Sequence, residues 1–217
     1  MLNSQQPLKK CYVVGAGGHC RVIISILQEP NSQYQVQGIL DFNQANINEI
    51  ILGVPIIGSV DELGEKQGKE DIFLAIGDNQ KRAECYERLL SLGYKLPNLI
   101  SHTAQIDSSS RLSLGNVVCP FVFIGPEVTI GDNNILNTRC LIEHETSIGN
   151  HCHVAPSALL AGRVQIGEEV FIGLGAKVVD NKKIVSHTII GAGAVVINDI
   201  EKNGVYVGVP ARKVGRE

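Results

Sequence analysis

The sequence predicts an α/β domain followed by a parallel β-helix, and two observations carry this prediction. In roughly the first hundred residues, apolar segments alternate with helix-like segments, which is typical of a Rossmann-like βαβαβ domain with a parallel sheet. From position 106 onward, an aliphatic residue recurs at every sixth position. A fixed short period indicates a solenoid of stacked coils. We therefore expect an α/β domain over residues 1–100 and a β-helix over residues 101–217.

The repeat predicts short strands that wind into a triangular prism. Its aliphatic positions are Ile106, Leu112, Val118, Ile124, Ile130, Leu136, Ile142, Ile148, Val154, Leu160, Ile166, Ile172, Val178, Ile184, Ile190 and Val196. The residue four places after most of them is small or β-branched, as at Val122 and Cys140, so each strand has one buried face. Glycine often follows the aliphatic residue, as at Gly125 and Gly149, and we expect a glycine-permitted bend at that point. Three sides then close one coil of about 18 residues.

A glycine-rich loop separates the first predicted strand from the first predicted helix. The strand covers residues 10–14, the loop reads Gly15-Ala16-Gly17-Gly18-His19, and the helix covers residues 20–28. Such a loop lets backbone N–H groups approach a phosphate at the positive end of the helix. The dinucleotide fingerprint requires glycine where this chain has Cys20, so we do not expect a complete NAD site.

Polar residues also follow the second and third predicted strands. The second strand covers residues 36–40 and ends in Asp41, and the third covers residues 71–76 and ends in Gly77-Asp78-Asn79, before a helix over residues 80–92. Ligands of open parallel sheets bind beyond the carboxyl ends of the strands, where Asp41 can accept hydrogen bonds from a ribose or sugar. The alternative interpretation is that these are only turn residues.

The repeat departs from its own pattern at residues 137–145. Positions that elsewhere hold glycine or alanine hold Asn137 and Glu143, and His144 and Glu145 follow. We predict that His144 is a general base, because a neutral imidazole can take a proton from an attacking nucleophile. A carboxylate on the other ring nitrogen fixes the tautomer, and we assign Glu145 to that role, with Glu143 as the second choice.

Two more histidines, His151 and His153, come one hexad later. His153 precedes the inward Val154, so alternation directs it outward from the prism. Together with His144 they raise the alternative of a zinc site. We expect no metal, because the spacing places them on a different side of the prism from His144 and Cys152 is predicted to point inward. Solvated histidines without a role are the remaining alternative.

Composition restricts the possible functions. Hydrophobic residues make up 44% and charged residues 19% of the chain, as in ordinary globular proteins, and the net charge of −3 indicates neither a nucleic-acid nor a membrane-surface partner. The start, MLNSQQPLKK, lacks the apolar segment of a secretory signal, and we expect no membrane span. The six cysteines form no CxxC pair, so we expect reduced thiols in a cytoplasmic protein.

Five motifs together resemble a known family. They are GAGGH at residues 15–19, Asn-Thr at 137–138, Ile-Glu-His-Glu at 142–145, His-Val at 153–154 and GVYVGVPARK at 204–213. In this order they are similar to the hexapeptide-repeat nucleotide-sugar N-acetyltransferases. The nearest resemblance is to the bacillosamine-pathway UDP-4-amino-sugar enzymes, grouped with sialic-acid O-acetyltransferase-like proteins. The resemblance implies that the β-helix is left-handed and that the protein is a homotrimer with active sites between subunits.

The resemblance also implies roles for individual residues. His144 would be the catalytic base with Glu145 as its partner, and N–H groups near Gly162 would hold the oxyanion. The residues implied for the co-substrate acetyl-CoA are His153, Gly162, Gly173, Leu174, Ala192 and Lys213, with Arg212 also available to its phosphates and the segment 204–213 folded over it. Those implied for the nucleotide-sugar are Gly17, Gly18, His19, Asp41, Phe42, Gly77 and Asn137. Many relatives have a second acid where this chain has Phe42.

We therefore predict an acetyl-CoA-dependent N-acetyltransferase that acts on the amine of a nucleotide-linked amino sugar of the UDP-4-amino-4,6-dideoxy type. Direct transfer is expected, because Cys140 and Cys152 fall on inward positions and are poor candidates for a nucleophile. Three alternatives stay open: O-acetylation of sialic acid or a related sugar, a zinc lyase of the γ-carbonic-anhydrase type, and a non-catalytic scaffold that binds a sugar nucleotide.

Overall fold

The front domain is built around a five-stranded sheet with one helix packed against each of its two faces. The computed structural model describes residues 7–43, 46–63 and 70–215. The elements of this domain are β1 (Lys9–Val14), α1 (Gly18–Leu27), β2 (Tyr34–Asp41), β3 (Ile50–Ile51), β4 (Val54–Ser59), a 3-10 helix (Val60–Glu62), β5 (Asp71–Leu74) and α2 (Asn79–Ser91). The sheet order is β3-β4-β2-β1-β5, and β1 pairs in parallel with both β2 and β5. The predicted Rossmann-like domain is confirmed.

The hairpin β3–β4 was not predicted. β3 runs antiparallel to β4, and β4 runs parallel to β2 at one end of the sheet. The two-residue turn between them is Leu52-Gly53, with φ of 48° and 81°. Hairpin turns with positive φ at both residues usually carry Asn, Asp or Gly, so a leucine there conceals the turn signal.

Each helix begins at a strand end and buries one stripe against the sheet. Gly17 is the N-cap of α1, and Cys20, Ile23 and Ile24 are buried at helical spacing. Asp78 caps α2, because its side chain accepts a hydrogen bond from the Lys81 N–H. The buried stripe of α2 includes one charged residue, Arg82.

The rest of the chain forms a prism whose three faces are parallel sheets of very short strands. The first face contains β7 (Gln105–Ile106), β10 (Phe123–Ile124), β13 (Leu141–Ile142), β16 (Leu159–Leu160), β19 (Lys177–Val178) and β22 (Val195–Val196). The second contains β8 (Arg111–Leu112), β11 (Thr129–Ile130), β14 (Ser147–Ile148), β17 (Gln165–Ile166) and β20 (Lys183–Ile184). The third contains β6 (Leu99–Ile100), β9 (Val117–Val118), β12 (Ile135–Leu136), β15 (His153–Val154), β18 (Phe171–Ile172), β21 (Thr188–Ile190), β23 (Gly204–Val207) and β24 (Arg212–Val214).

The register confirms the predicted coil. Phe123 pairs with Leu141 and Ile124 with Ile142, and the same spacing of 18 residues recurs along the prism. All the aliphatic positions of the repeat are buried except the first two, Ile106 and Leu112, which lie partly buried at the start of the stack. The domain is a left-handed parallel β-helix with an aliphatic core.

The prediction that glycine permits the bend after each aliphatic residue was wrong. Those glycines do not have positive φ. The left-handed residue comes two places later in the corner, and residues of many types take it with φ between 53° and 61°: Phe121, Glu127, Asn133, Arg139, Glu145, His151, Ser157, Arg163, Glu169, Asn181 and His187. Gly149 is needed for a different reason. A Cβ there would lie 2.8 Å from the Gly167 carbonyl carbon of the next coil, so glycine permits close stacking of the coils.

The closing segment belongs to the β-helix. β23 pairs in parallel with β21, and β24 folds back antiparallel on β23, so residues 204–214 extend the third face. In the ranges that the structure describes, no helix is long and apolar enough to cross a bilayer.

Candidate active site

The corner after β13 carries a histidine paired with a carboxylate. The Nδ1 atom of His144 lies 2.9 Å from Oε2 of Glu145. Neighbouring side chains on an extended chain point in opposite directions, but Glu145 has φ of 57°, and this left-handed turn allows its carboxylate to reach back to the ring. Because an ionised carboxylate only accepts hydrogen bonds, Nδ1 carries a proton, and in the neutral ring Nε2 is then the atom with the lone pair.

Gly162 makes room for the His144 ring. It lies one coil further along the chain, and a Cβ built on it would be 2.5 Å from both Cε1 and Nε2 of His144. The imidazole therefore lies directly against the Gly162 backbone, while 45% of the His144 side chain stays exposed. The His144 ring thus lies on a solvent-accessible edge of the prism.

The structure brings Glu145 rather than Glu143 to the histidine. Among the ion pairs of the described residues, Glu145 pairs with His144 and, at 3.7 Å, with Nη1 of Arg163 in the next coil. Glu143 takes part in none of these pairs, and its backbone N–H donates to the Leu160 carbonyl.

A second histidine cluster lies where the front domain meets the third face. His153 projects outward from β15 while Val154 is buried, as predicted. Its Nε2 lies 3.1 Å from Nδ2 of Asn137, and its Nδ1 lies 3.4 Å from the Gly77 carbonyl oxygen. The ring centroid of His19, from α1, is 6.5 Å away. Three residues predicted for the nucleotide-sugar and one predicted for acetyl-CoA therefore meet at this junction.

Both histidines of the junction are held in the neutral form. Burial, followed by the positive charge of Arg82, lowers the pKa of His153 from 6.5 to about 4. Burial, followed by His153 and then Arg82, lowers the pKa of His19 from 6.5 to about 3. Within the described residues, the buried Nε2 atom of His19 has no hydrogen-bond partner. Because such low pKa values make both rings weak bases, this cluster is suited to binding rather than to accepting protons.

A cleft of about 620 Å³ lies at the carboxyl edge of the front sheet, as expected. The predicted residues among those that line it are Gly17, Asp41, Phe42 and Gly77. A Cβ on Gly17 or Gly18 would meet nothing within 4 Å, so the start of α1 is open to a ligand. Phe42 is 54% exposed at this cleft.

Asp41 lines the cleft and also makes hydrogen bonds within the front domain. It is only 8% exposed, its Oδ1 accepts the Ala16 N–H at 3.0 Å, and its Oδ2 accepts Nδ2 of Asn46 at 2.8 Å. The carboxylate thus holds the glycine-rich loop against the end of β2. A cleft of about 680 Å³ at the other edge of the sheet, beside Lys9 and Tyr34, is lined by none of the predicted site residues.

The other residues predicted for acetyl-CoA lie at the corner after the third face and at the end of the chain. Gly173 packs against the next coil, since a Cβ there would be 2.7 Å from the Ala192 N atom. Leu174 beside it is 57% exposed. Lys213 is exposed on β24, with its Cε lying against Gly204. The structure therefore groups Gly173, Leu174 and Ala192, and places Gly162 with His144 instead.

The cysteines are buried thiols. All six are free and buried. Burial raises the pKa of Cys152 to about 12 and raises the pKa of Cys140 as well. Both therefore stay protonated, as expected for residues that are not nucleophiles. In the part of the chain that the structure describes, no group of three or more His, Cys, Asp or Glu side chains could hold a metal ion.

Sequence reasoning missed Arg82 and Asn133. Arg82 is 1% exposed, and its guanidinium joins α2 to the β-helix by donating hydrogen bonds to the Asn133 and His151 carbonyl oxygens. An arginine on an amphipathic helix is usually solvated, and its partners here lie far away in sequence. The one available signal was its spacing, three and four residues before the buried Cys85 and Tyr86.

A Rossmann-like domain joined to a left-handed β-helix with a histidine–glutamate pair on its edge defines a hexapeptide-repeat acyltransferase. Residues 10–89 match the PglD N-terminal domain family. PerB from Caulobacter crescentus, solved in complex with CoA and GDP-perosamine, is 35% identical with a TM-score of 0.88, over 95% of this chain and 97% of PerB. This chain belongs to the hexapeptide-repeat family of nucleotide-sugar acetyltransferases.

Two further structures are similar over almost the whole chain. The acetyltransferase domain of PglB from Neisseria gonorrhoeae, in complex with acetyl coenzyme A, is 30% identical with a TM-score of 0.86, over 95% of this chain and 100% of that domain. WeeI from Acinetobacter baumannii is 22% identical with a TM-score of 0.84, over 94% of this chain and 99% of WeeI, and this match supports the fold alone.

Proposed function

We propose that this protein transfers the acetyl group of acetyl-CoA to the amine of a nucleotide-linked amino sugar, with His144 as the general base. Family membership supports the reaction, since PerB was solved with CoA and GDP-perosamine. The single observation that supports the base is the His144–Glu145 pair, in which a carboxylate on Nδ1 leaves Nε2 of the neutral ring to accept a proton.

In the proposed reaction, one imidazole takes up the proton from the amine and later returns it to the leaving group. The neutral sugar amine attacks the thioester carbonyl carbon, and Nε2 of His144 takes the proton that the nitrogen loses. The Glu145 carboxylate stabilises the resulting imidazolium through Nδ1. When the tetrahedral intermediate collapses, the C–S bond breaks and the imidazolium returns the proton to the leaving sulfur, so CoA departs as a thiol.

Gly162 is proposed to stabilise the oxyanion. The neighbouring N–H groups of Ala161 and Arg163 donate to the Val178 and His144 carbonyls. Among the backbone hydrogen bonds of the described residues, the Gly162 N–H takes part in none, so it is free to donate to the intermediate beside the His144 ring.

The nucleotide-sugar is assigned to the cleft at Gly17, Gly18, His19, Asp41, Phe42 and Gly77, and Asn137 is assigned to the acceptor. Acetyl-CoA is assigned to His153, Gly162, Gly173, Leu174, Ala192 and Lys213. We further propose a homotrimer, because His144 follows a first-face strand while the His153 cluster lies on the third face, and a neighbouring prism can bring the two together. We also propose that the domain boundary lies between residues 100 and 101. A cytoplasmic location is proposed as well, because free cysteines stay reduced there.

The proposed reaction is tested by CoA release. The purified protein is given acetyl-CoA with GDP-perosamine, a UDP-4-amino-4,6-dideoxy sugar or free sialic acid, and the released thiol is followed with a thiol-reactive chromophore. We expect release with at least one nucleotide amino sugar and an N-acetylated product by mass spectrometry. Release only with sialic acid would make the protein an O-acetyltransferase, and no release with any acceptor would overturn the proposed activity.

A further inference from the structure

Arg82 is a buried cation at the centre of the junction between the two domains. Arg82 belongs to helix α2, and its guanidinium contacts the three consecutive backbone carbonyls that directly precede this helix. Its Nη1 atom lies 3.2 Å from the Ile76 oxygen, 3.4 Å from the Gly77 oxygen and 3.5 Å from the Asp78 oxygen. From the same helix, the Asn79 side-chain oxygen accepts from Nη2 at 2.9 Å. Arg82 therefore fixes the loop that carries Gly77.

The other side of the guanidinium holds the β-helix. Nε donates to the Asn133 carbonyl at 3.1 Å, and Nη2 donates to the carbonyls of His151 and Cys152 at 2.8 Å and 3.0 Å. Asn133 and His151 are corner residues of successive coils, and both have the left-handed conformation. Their carbonyl oxygens accept from the same guanidinium. One planar fork thus joins the Gly77 loop to two coils of the prism.

The charge of Arg82 is compensated by dipoles. Its partners are carbonyl and amide oxygens, and among the ion pairs of the described residues none includes Arg82. Burying a cation without an anionic partner costs desolvation free energy, and a neutral residue at position 82 would avoid that cost. A positive charge retained at such a place acts on the groups around it, and the nearest titratable rings are those of His19, His151 and His153.

A chain of hydrogen bonds connects Arg82 to the predicted ligand residues. The Thr138 N–H donates to Oδ1 of Asn137 at 2.8 Å, which turns the Asn137 amide so that Nδ2 faces His153. In this arrangement Nε2 of His153 accepts from Asn137, and Nδ1 donates to the Gly77 oxygen, the same oxygen that Arg82 contacts, so the two contacts together select one tautomer.

We propose that Arg82 is a positioning residue of the active site, whose guanidinium fixes the Gly77 carbonyl and so keeps the His153 proton on Nδ1, with Nε2 accepting from Asn137. The side-chain and backbone contacts above carry this inference. Its consequence for turnover rests on the proposed function, because His153 and Asn137 are assigned there to acetyl-CoA and to the acceptor. Its consequence for the state of His153 does not depend on any substrate.

The direct test is the ring state of His153 in the full-length, ligand-free protein. Long-range proton–nitrogen NMR correlations separate the two neutral tautomers from imidazolium. The wild-type protein at pH 7 is expected to show His153 neutral with the proton on Nδ1, and a His153→Gln sample assigns its signals. A proton on Nε2, or an imidazolium at pH 7, would overturn the proposal without any change at position 82.

Two variants then separate the effect of the Arg82 charge from the effect of its planar set of hydrogen-bond donors. In Arg82→Lys the charge remains but the Gly77 oxygen loses its fixed donor, so we expect His153 to stay neutral and to exchange between tautomers. In Arg82→Gln we expect His153 also to titrate at higher pH than in the wild type. The control is Arg111→Gln, which removes an exposed arginine of the second face and is expected to leave the His153 signals unchanged. A fixed wild-type tautomer in folded Arg82→Lys, checked by circular dichroism, would contradict the proposal.

Kinetics show whether this arrangement serves the reaction. For Arg82→Lys we expect KM for acetyl-CoA or for the sugar nucleotide to rise by about tenfold, as for the loss of a well-placed hydrogen bond, with a smaller change in kcat. Unchanged KM values together with an altered tautomer would refute the role in positioning while leaving the proposed activity intact. Absence of activity in the wild type would instead count against the proposed function alone.

Discussion

Two histidines of the β-helix, His144 and His153, lie nine residues apart in sequence and in opposite environments. His144 is half exposed and has a carboxylate on Nδ1. His153 is partly buried between two domains, with an amide and a carbonyl as its partners and a guanidinium nearby. The first environment places a carboxylate on the ring nitrogen opposite Nε2, and the second disfavours the charged form of the ring. The comparison shows that the position of a histidine on the prism decides its chemistry, more than its place in a motif.

The largest difference between the two histidines should appear when His144 is removed. We expect His144→Ala to lower kcat by about 10² to 10⁴ while the protein stays folded, because the attacking amine loses its base. The matched control is His102→Ala, since His102 also has a carboxylate, that of Glu29, at 2.9 Å and a half-exposed side chain. CoA release measured at saturating substrates checks both variants. Equal activity of His144→Ala and the wild type would remove the mechanism.

The carboxylate partner should matter next. Glu145→Gln is expected to lower kcat by about 10-fold, because the amide holds the ring without stabilising its charged form. Glu143→Gln serves as the control and should keep wild-type kcat, since its side chain is outside the ion pairs described here for His144. A larger loss in Glu143→Gln than in Glu145→Gln would reassign the partner.

The contact between Gly162 and the ring gives a third test. In Gly162→Ala the added methyl group would lie 2.5 Å from Nε2, so the imidazole must move. We expect kcat to fall by about tenfold. Because the effect acts through the ring, adding Gly162→Ala to His144→Ala should cause little further loss. Additive losses in the double variant would show that Gly162 acts independently of His144.

The smallest expected effect is on the stability of the protein, and it comes from His153. The pKa of His153 is 6.5 in an unfolded chain and about 4 in the folded protein. Between these values the unfolded chain binds a proton that the folded protein does not, so stability is complete above pH 6.5 and is lost as pH falls toward 4. Thermal melts across this range should show a decline in Tm that is smaller in His153→Gln. An identical pH dependence in both proteins would contradict the neutral assignment.

The fold was largely predictable because burial repeats with a fixed period. Each coil places Ile, Leu or Val inward at the same point, and a regular pattern of that length has few alternatives. The corners were not predictable in the same way. Residues of many types take the left-handed conformation, as Glu145 and His151 do, so composition gives no signal.

The site was predictable only in part, for a related reason. His144 and Glu145 stand out because they interrupt the repeat. Arg82 interrupts nothing, and its partners Asn133 and His151 lie 51 and 69 residues away. The tautomer of His153 depends on Gly77, which belongs to the other domain. Contacts between domains of this kind become visible only when both are folded.

The most direct measurement is a crystal structure of the protein with CoA and the nucleotide amino sugar bound together. If His144 is the base, the amine nitrogen lies within about 3 Å of its Nε2 atom, close enough for a hydrogen bond. The Gly162 N–H should then face the position of the acetyl carbonyl oxygen. An amine placed beside His153 instead, with His144 remote from both substrates, would contradict the central claim.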